Sequence, residues 1–286
     1  MAPASVDQDA LHCRTLVRGQ DKDRFLAGLF APEDKRTHLM ALYAFDIEVS
    51  RIPFLVSEPA LGEIRLQWWV DSIEAVYGGA AGDHPVVRAL GRAIETAGLP
   101  KQPILDLIEA RRFDLYADPM PTLRSFEGYA GETTSALIQM AAVILAGSDA
   151  SRAVDASGHG GVAQAIVRVL RLARADRARG KVVIPEEILL SHGLKVGDYL
   201  DGRWSDAMRL AFARMRHAAR SHLEKARGFD PQVPLDALPA FMPLALMDLY
   251  LGRMERPGFN AFTMSADVSQ IRRQWRLLRA SWQKAF

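Results

Sequence analysis

The chain has 286 residues, 49% hydrophobic and 24% charged, with a net charge of +2 and a single cysteine, Cys13. That is enough chain for one large domain or two small ones with a real core; the charge is too small, and too little interleaved with aromatics, for a nucleic-acid binder. One cysteine excludes an internal disulfide and a cysteine-based zinc cluster, and no apolar run approaches the roughly 20 residues that span a bilayer.

The N-terminal run MAPASVDQDALHC carries acids early and lacks the basic start and apolar core of a secretory signal. A cytoplasmic location is therefore expected, with residues 1–20 as a loosely ordered lead-in. Pro32 suits a first helical turn, Glu33 and Asp34 favour the positive end of the helix dipole, and Leu39, Leu42, Phe45, Val49 and Ile52 follow a helical period. Pro53 disfavours α geometry in the residue before it, so this helix should end near Ile52. Asp46 and Glu48 stand about 200° apart on such a helix and cannot clamp one ion together. They read as an ordinary polar face opposite the apolar row.

A second helix runs from Glu63 to Tyr77 and is stopped by Gly78 and Gly79, with Trp68 and Trp69 expected as core anchors. Pro85 opens a third, which stops at Gly98, and a fourth runs from about Gln102 to Tyr116. The fifth, about Thr122 to Leu145, is apolar nearly all round in its second half and belongs in the middle of a bundle. In the sixth, from about Arg152 to Ala175, Gly158, Gly160 and Gly161 weaken the helix but let another backbone or a ligand come close, and close helix packing is the favoured reading.

After a basic loop, Arg177 to Lys181, the run KVVIP has a strand-like look, but Pro185, Glu186 and Glu187 open another helix, which stops at Gly193. Ser205 caps a long charged helix to about Arg227; its His217 and His222, five apart, read as surface residues. A helix from about Pro239 to Met254, kinked near Pro243, and a basic final helix from Ser265 close the chain. No strand alternation, repeat, low-complexity tract or long linker interrupts the pattern, so one all-helical domain over residues 1–286 is expected.

The stretch Arg36 to Phe54, RTHLMALYAFDIEVSRIPF, resembles the first metal-binding helix of the squalene and phytoene synthases. The likeness runs along nearly the whole chain, through DRFLAGLFAPEDKRTHLMALYAF, EIRLQWWVDSIEAVYGG, HPVVRAL, DLIEARRFDL, YAGETTSALIQMAAVILAG and GVAQAIVRVLRLARADRARGKVVIP. It implies an all-α isoprenoid synthase-type bundle with a central cavity. In that family, carboxylates at i, i+1 and i+4 hold Mg²⁺ against a prenyl diphosphate. Aligned through Tyr43, Ala44 and Phe45, those positions fall here on Ser50, Arg51 and Phe54, none of them an anionic ligand. The family's second metal motif fares the same: Gln164 is followed by Val167, Arg168, Arg171 and Arg174, with no acid before Asp176.

A retained scaffold with lost ligands is similar to one branch of the family, that of mitochondrial complex I (NADH dehydrogenase) assembly factor 6 and its bacterial relatives. The shared positions include Ala44, Phe45 and Glu48, Leu66 to Trp69, Ala163 to Val167, GKVVIP with His192, Gly193 and Leu194, and Ser281 to Lys284. What the resemblance implies is a non-enzymatic assembly factor for the respiratory NADH:quinone oxidoreductase, with complex I subunits or assembly intermediates as partners and no metal, cofactor or catalytic residue. Tyr43, Asp46, Glu48, Ser50, Arg51, Gln164, Arg171, Arg179 and Lys181 are the candidate vestigial cavity or anion-binding residues.

A solvated turn is an equally good reading of the basic residues from Arg171 to Lys181. The final helix, with Ile271, Trp275, Leu278 and Trp282 on one side and Arg272, Arg273, Arg276 and Arg279 near it, suits either docking on the bundle with its basic residues in water, the favoured reading, or peripheral contact at the inner face of an anionic membrane. Two alternatives stand beside the assembly role. One is an active Mg²⁺-dependent prenyl diphosphate transferase using Asp46, Glu48 and Asp176. The other is a cavity that binds a prenyl lipid without reacting it.

Overall fold

A computed structural model describes residues 3–80 and 82–286, and among the described residues every regular element is helical. Helices α1 (Pro3–Gln20), α2 (Lys22–Gly28) and α3 (Glu33–Ser50) come first, then α4 (Pro59–Tyr77), α5 (Pro85–Ala97) and α6 (Lys101–Ala110). They are followed by α7 (Leu123–Ala130), α8 (Ala136–Ala146), α9 (Val154–Arg177), α10 (Glu186–Ser191) and α11 (Val196–Leu200). The chain closes with α12 (Asp206–Gly228), α13 (Leu238–Phe241), α14 (Met247–Met254) and α15 (Gln270–Gln283). The segment expected as a loosely ordered lead-in thus carries α1, anchored where Asp9, almost fully buried, takes a bidentate pair from Arg88 and a further one from Arg92.

Helix α3 lies in the middle, against α1, α2, α5 and α8. Pro32 caps it with Glu33 and Asp34 in the first turn, and it stops at Ser50, before a 3₁₀ turn over Ile52–Phe54 that contains Pro53. From Leu39 to Ser50 every side chain but Glu48 is buried. The expected polar face therefore does not exist over Asp46, which is 2% exposed. Of the two tryptophans on α4, Trp69 anchors the core against Phe45, while Trp68 stays 46% exposed, edge-on to Trp69 and His84.

The span expected as one helix from Thr122 to Leu145 is three pieces: α7, capped by the Thr122 hydroxyl, a π-helical turn over Gly131–Ser135, and α8. The turn sits where α9 crosses. A Cβ on Gly161 would lie 2.3 Å from the Ser135 Cα, and the Ser135 hydroxyl donates to the Gly158 carbonyl at 2.8 Å. Gly160, against Leu244, and Gly161 serve the close helix packing expected of this glycine cluster, whereas a Cβ on Gly158 would meet nothing within 4 Å.

Two stretches, 123–177 and 235–254, combine length with apolar character enough for a bilayer span. Both are broken by turns, and 50% and 72% of their most apolar windows are buried as core. Gly98, Gly147 and Gly193 end their helices with positive φ, where a side chain would be strained.

Candidate functional site

Helices α3 and α9 face each other across a cleft of about 440 Å³, closed at its sides by the α1–α2 turn and by Asp267 and Arg273. Ser50, Arg51 and Phe54 line it from one side, and Gln164, Val167, Arg168 and Arg171 from the other. The positions that the resemblance aligns with the family's two metal motifs thus meet in one place. An adjoining, more apolar cavity of about 150 Å³ shares Ser50, Phe54, Thr134, Arg168 and Leu172 with it and continues toward Phe113, Phe126 and Val183.

Four carboxylates line the cleft, and arginine takes all of them. Asp46 accepts from Arg24 at 2.7 Å and from Arg111 at 3.0 Å. Asp21 pairs with Arg24 at 3.4 Å. Asp23 lies 3.2 Å from Arg171 and 3.5 Å from Arg273, and Asp267 lies 2.7 Å and 3.5 Å from the same two arginines. Tyr250 donates to Asp23 at 2.7 Å, and its ring carries the Arg171 guanidinium 3.6 Å from the centroid. Arg111 extends the lattice by donating to Tyr129 at 2.6 Å and Asp114 at 3.2 Å, and Tyr129 donates in turn to Asp114 at 2.7 Å.

Burial alone would raise the Asp46 pKa; Arg111 and Arg24 outweigh it and hold the carboxyl at about 2. Burial pushes the phenols of Tyr43, Tyr129 and Tyr250 up, so they stay protonated, and Tyr129 and Tyr250 donate to Asp114 and Asp23. In the adjoining cavity Asp176 is shifted upward by burial despite Arg179 and Lys181 nearby.

The structure brings Asp46, Ser50, Arg51, Gln164 and Arg171 together in the cleft and puts Lys181 in the adjoining cavity. Tyr43 is buried behind Arg24, whose guanidinium lies 5.5 Å from its ring centroid. Glu48 lies outside both cavities, nearly covered and paired to Arg51 at 2.9 Å. The turn at 178–180 is exposed, and the basic residues from Arg171 to Lys181 reach separate partners. Arg174 reaches the Thr263 carbonyl, Arg177 donates to the Leu200 carbonyl at 3.0 Å, Arg179 lies on the Phe54 ring at 4.5 Å, and Lys181 donates to the Asp114 carbonyl.

His222 is not a surface residue either: its Nε2 lies 3.2 Å from Glu127, and its Nδ1 3.0 Å from that of His159 on α9. Sequence reasoning missed Arg24, Arg111, Asp23, Tyr250 and Arg273. The i, i+3 pairs Asp21–Arg24 and Arg111–Asp114 were a local signal for two of these arginines, whereas nothing local links Tyr250 to Asp23.

The family model for squalene/phytoene synthase matches residues 17–279. The chain belongs to that family. Complex I assembly factor 6 of Homo sapiens is 29% identical over 275 residues, which is 96% of this chain and 82% of that protein. The Drosophila melanogaster homolog of that factor is 30% identical over 258 residues, 87% and 76% of the two chains. Chloroplastic phytoene synthase 1 of Solanum lycopersicum is 26% identical over 254 residues, 86% of this chain and 60% of that one.

Among solved structures, a dehydrosqualene synthase in complex with ligand superposes with a TM-score of 0.86 at 17% identity, covering 98% of each chain. Squalene synthase HpnC from Alicyclobacillus acidocaldarius gives 0.79 at 23% identity, covering 91% of this chain and 97% of that one. These likenesses establish the all-α isoprenoid synthase fold.

The Mg²⁺ of prenyl synthase chemistry does not fit the residues present. The residues that the resemblance aligns with the metal motifs, Ser50, Arg51 and Phe54 on one wall and Val167, Arg168 and Arg171 on the other, carry no carboxylate, and each aspartate of the cleft is paired with an arginine. Among the described residues, no three His, Cys, Asp or Glu side chains are grouped to hold a metal ion.

Proposed function

We propose that this protein is a non-enzymatic assembly factor for the respiratory NADH:quinone oxidoreductase, built on a squalene/phytoene synthase scaffold and acting at the inner face of the membrane that holds the oxidoreductase. The observation that carries this reading is the arginine–aspartate lattice of the cleft. Ionising a prenyl diphosphate means neutralising charge on the leaving group as it departs, a task for cations held loosely enough to meet it. Here Arg24, Arg111, Arg171 and Arg273 are paired with aspartates of their own chain, which leaves no free carboxylate in the cleft for a metal bridge.

Asp46 and Glu48 do not converge, and Asp176 sits in the other cavity with its charged form disfavoured, so the transferase reading loses its three candidate ligands. The apolar cavity holds only about 150 Å³, and the larger cleft it opens into is lined by paired charges, a poor lining for a resident prenyl lipid. The names of the relatives, similar over 96% of the chain in the human case, support complex I as the client.

The test is NADH:quinone oxidoreductase activity in membranes of a host strain lacking the gene. A specific fall is expected, restored by the wild-type gene and equally by Glu48→Ala. Unchanged activity would remove the assembly role. Separately, Mg²⁺-dependent release of pyrophosphate from farnesyl or geranylgeranyl diphosphate by the purified protein would overturn the non-enzymatic part.

A further inference from the structure

Helix α15 is mounted the opposite way round from the favoured expectation. It docks on the Met242–Leu246 turn and on α2 through Leu277 and Ala280 together with two arginines. Arg273, 9% exposed, reaches Asp23 and Asp267, and Arg276 donates to the Ala245 carbonyl at 2.9 Å and pairs with Asp248 at 3.3 Å. The apolar side chains are left outside. Ile271 is 77%, Trp275 62% and Trp282 67% exposed, with half-buried Leu278 between the tryptophans.

On a helical projection these four fall within about 60° of one another, nearly opposite the docked face, and the row runs for about 16 Å. Arg272 and Arg279, both exposed and in no ion pair among the described residues, stand along one edge of it. The two indoles touch edge to face at 6.1 Å, so the tryptophans form one continuous patch. A second exposed row, Leu61, Ile64 and Trp68 on α4, is less open, because Trp68 packs on Trp69 and His84.

We propose that the outward face of α15 is a contact surface for an anionic lipid membrane. Indole rings favour the headgroup region, where an apolar body and a polar N–H are both satisfied, and arginines beside them meet lipid phosphates. The charge complementarity is specific to this face: the two arginines turned inward are neutralised by aspartates, and the two beside the tryptophans are not. A helix held flat against a rigid bundle by its other side loses little freedom on binding, which favours a shallow, reversible contact over insertion. The inference stands independently of the assembly role, because it needs only the protein and a lipid surface.

The test is co-sedimentation of the full-length protein with vesicles of phosphatidylcholine alone and of phosphatidylcholine mixed with phosphatidylglycerol. Binding is expected to the mixed vesicles, weakening with salt. A Trp275→Ser/Trp282→Ser variant should bind at least about tenfold more weakly, from lost apolar burial. An Arg272→Gln/Arg279→Gln variant should lose roughly fivefold per arginine together with much of the salt dependence. All four side chains are exposed, so both variants should unfold at the wild-type denaturant midpoint, which separates lost contact from lost fold. No binding to the mixed vesicles, or equal binding by all three proteins, would overturn the proposal. So would a lipid-free dimer abolished by the tryptophan substitutions, which would assign the face to a second copy of the chain.

Discussion

Replacing Asp46 by asparagine would leave the guanidinium groups of Arg24 and Arg111, each 7% exposed, without their shared counter-charge. Removing one partner of a buried pair costs about 3–5 kcal/mol, because the remaining charge has no solvent to turn to. We expect Asp46→Asn to lose that much in denaturant unfolding, far more than Glu48→Ala. The same pair sets an acid limb. The Asp46 pKa is about 2 when folded against 3.8 for a free aspartate, so its contribution is full above about pH 4 and is lost as pH falls toward 2. Unfolding midpoints measured through that window should fall less steeply with pH in Asp46→Asn than in wild type. The sequence offered only part of this. An aspartate two residues from Glu48 on a helix with a clear apolar row looks solvated, since acids usually are. What buries it is the arrival of Arg24 from α2 and Arg111 from the end of α6, residues 22 and 65 positions away, a meeting that no local pattern encodes.

At the scale of helices, stops and caps were legible because they rest on backbone chemistry. Pro32, Gly98, Thr122, Pro185, Gly193 and Ser205 end or begin elements where their conformational preferences place them. The π turn over Gly131–Ser135 was not legible. It belongs to the crossing with α9, and no proline in GETTS marks it. That crossing gives a paired prediction within one helix. Gly161→Ala drives a methyl group to 2.3 Å from the Ser135 Cα and 2.4 Å from its nitrogen, backbone atoms that cannot turn aside. It should cost about 1–3 kcal/mol or more through overpacking. Gly158→Ala meets nothing within 4 Å and should stabilise by roughly 0.5–1 kcal/mol through its helix propensity. Thermal melts of the two variants should therefore move in opposite directions. Helix α15 shows the other limit of pattern reading: its two faces were identified, but which of them docks depends on Asp23, Asp248 and Asp267, which wait on the bundle for Arg273 and Arg276.

Taken whole, the molecule gathers α2, α3, α9 and the segment leading into α15 around one cleft; the family resemblance implied a central cavity, and the facing of α3 and α9 across it is seen only in the fold. The charge state of the cleft follows only from the assembled fold. Each of its aspartates is held by an arginine from the same chain, so the lattice behaves as structural cross-linking between helices instead of a reservoir of ligands. This predicts how stability responds to divalent ions. A native-state Mg²⁺ site filled at a hundredfold excess over its dissociation constant would add roughly 2.7 kcal/mol, enough to raise the melting temperature of a domain this size by several degrees. Mg²⁺ can gain the Asp46 carboxylate only by stripping it from the buried guanidinium groups of Arg24 and Arg111, and breaking such a pair is costly. Melting curves recorded in millimolar Mg²⁺ and in a chelator should therefore agree within about one degree. A rise of several degrees, lost in Asp46→Asn, would show that the lattice opens to admit a cation.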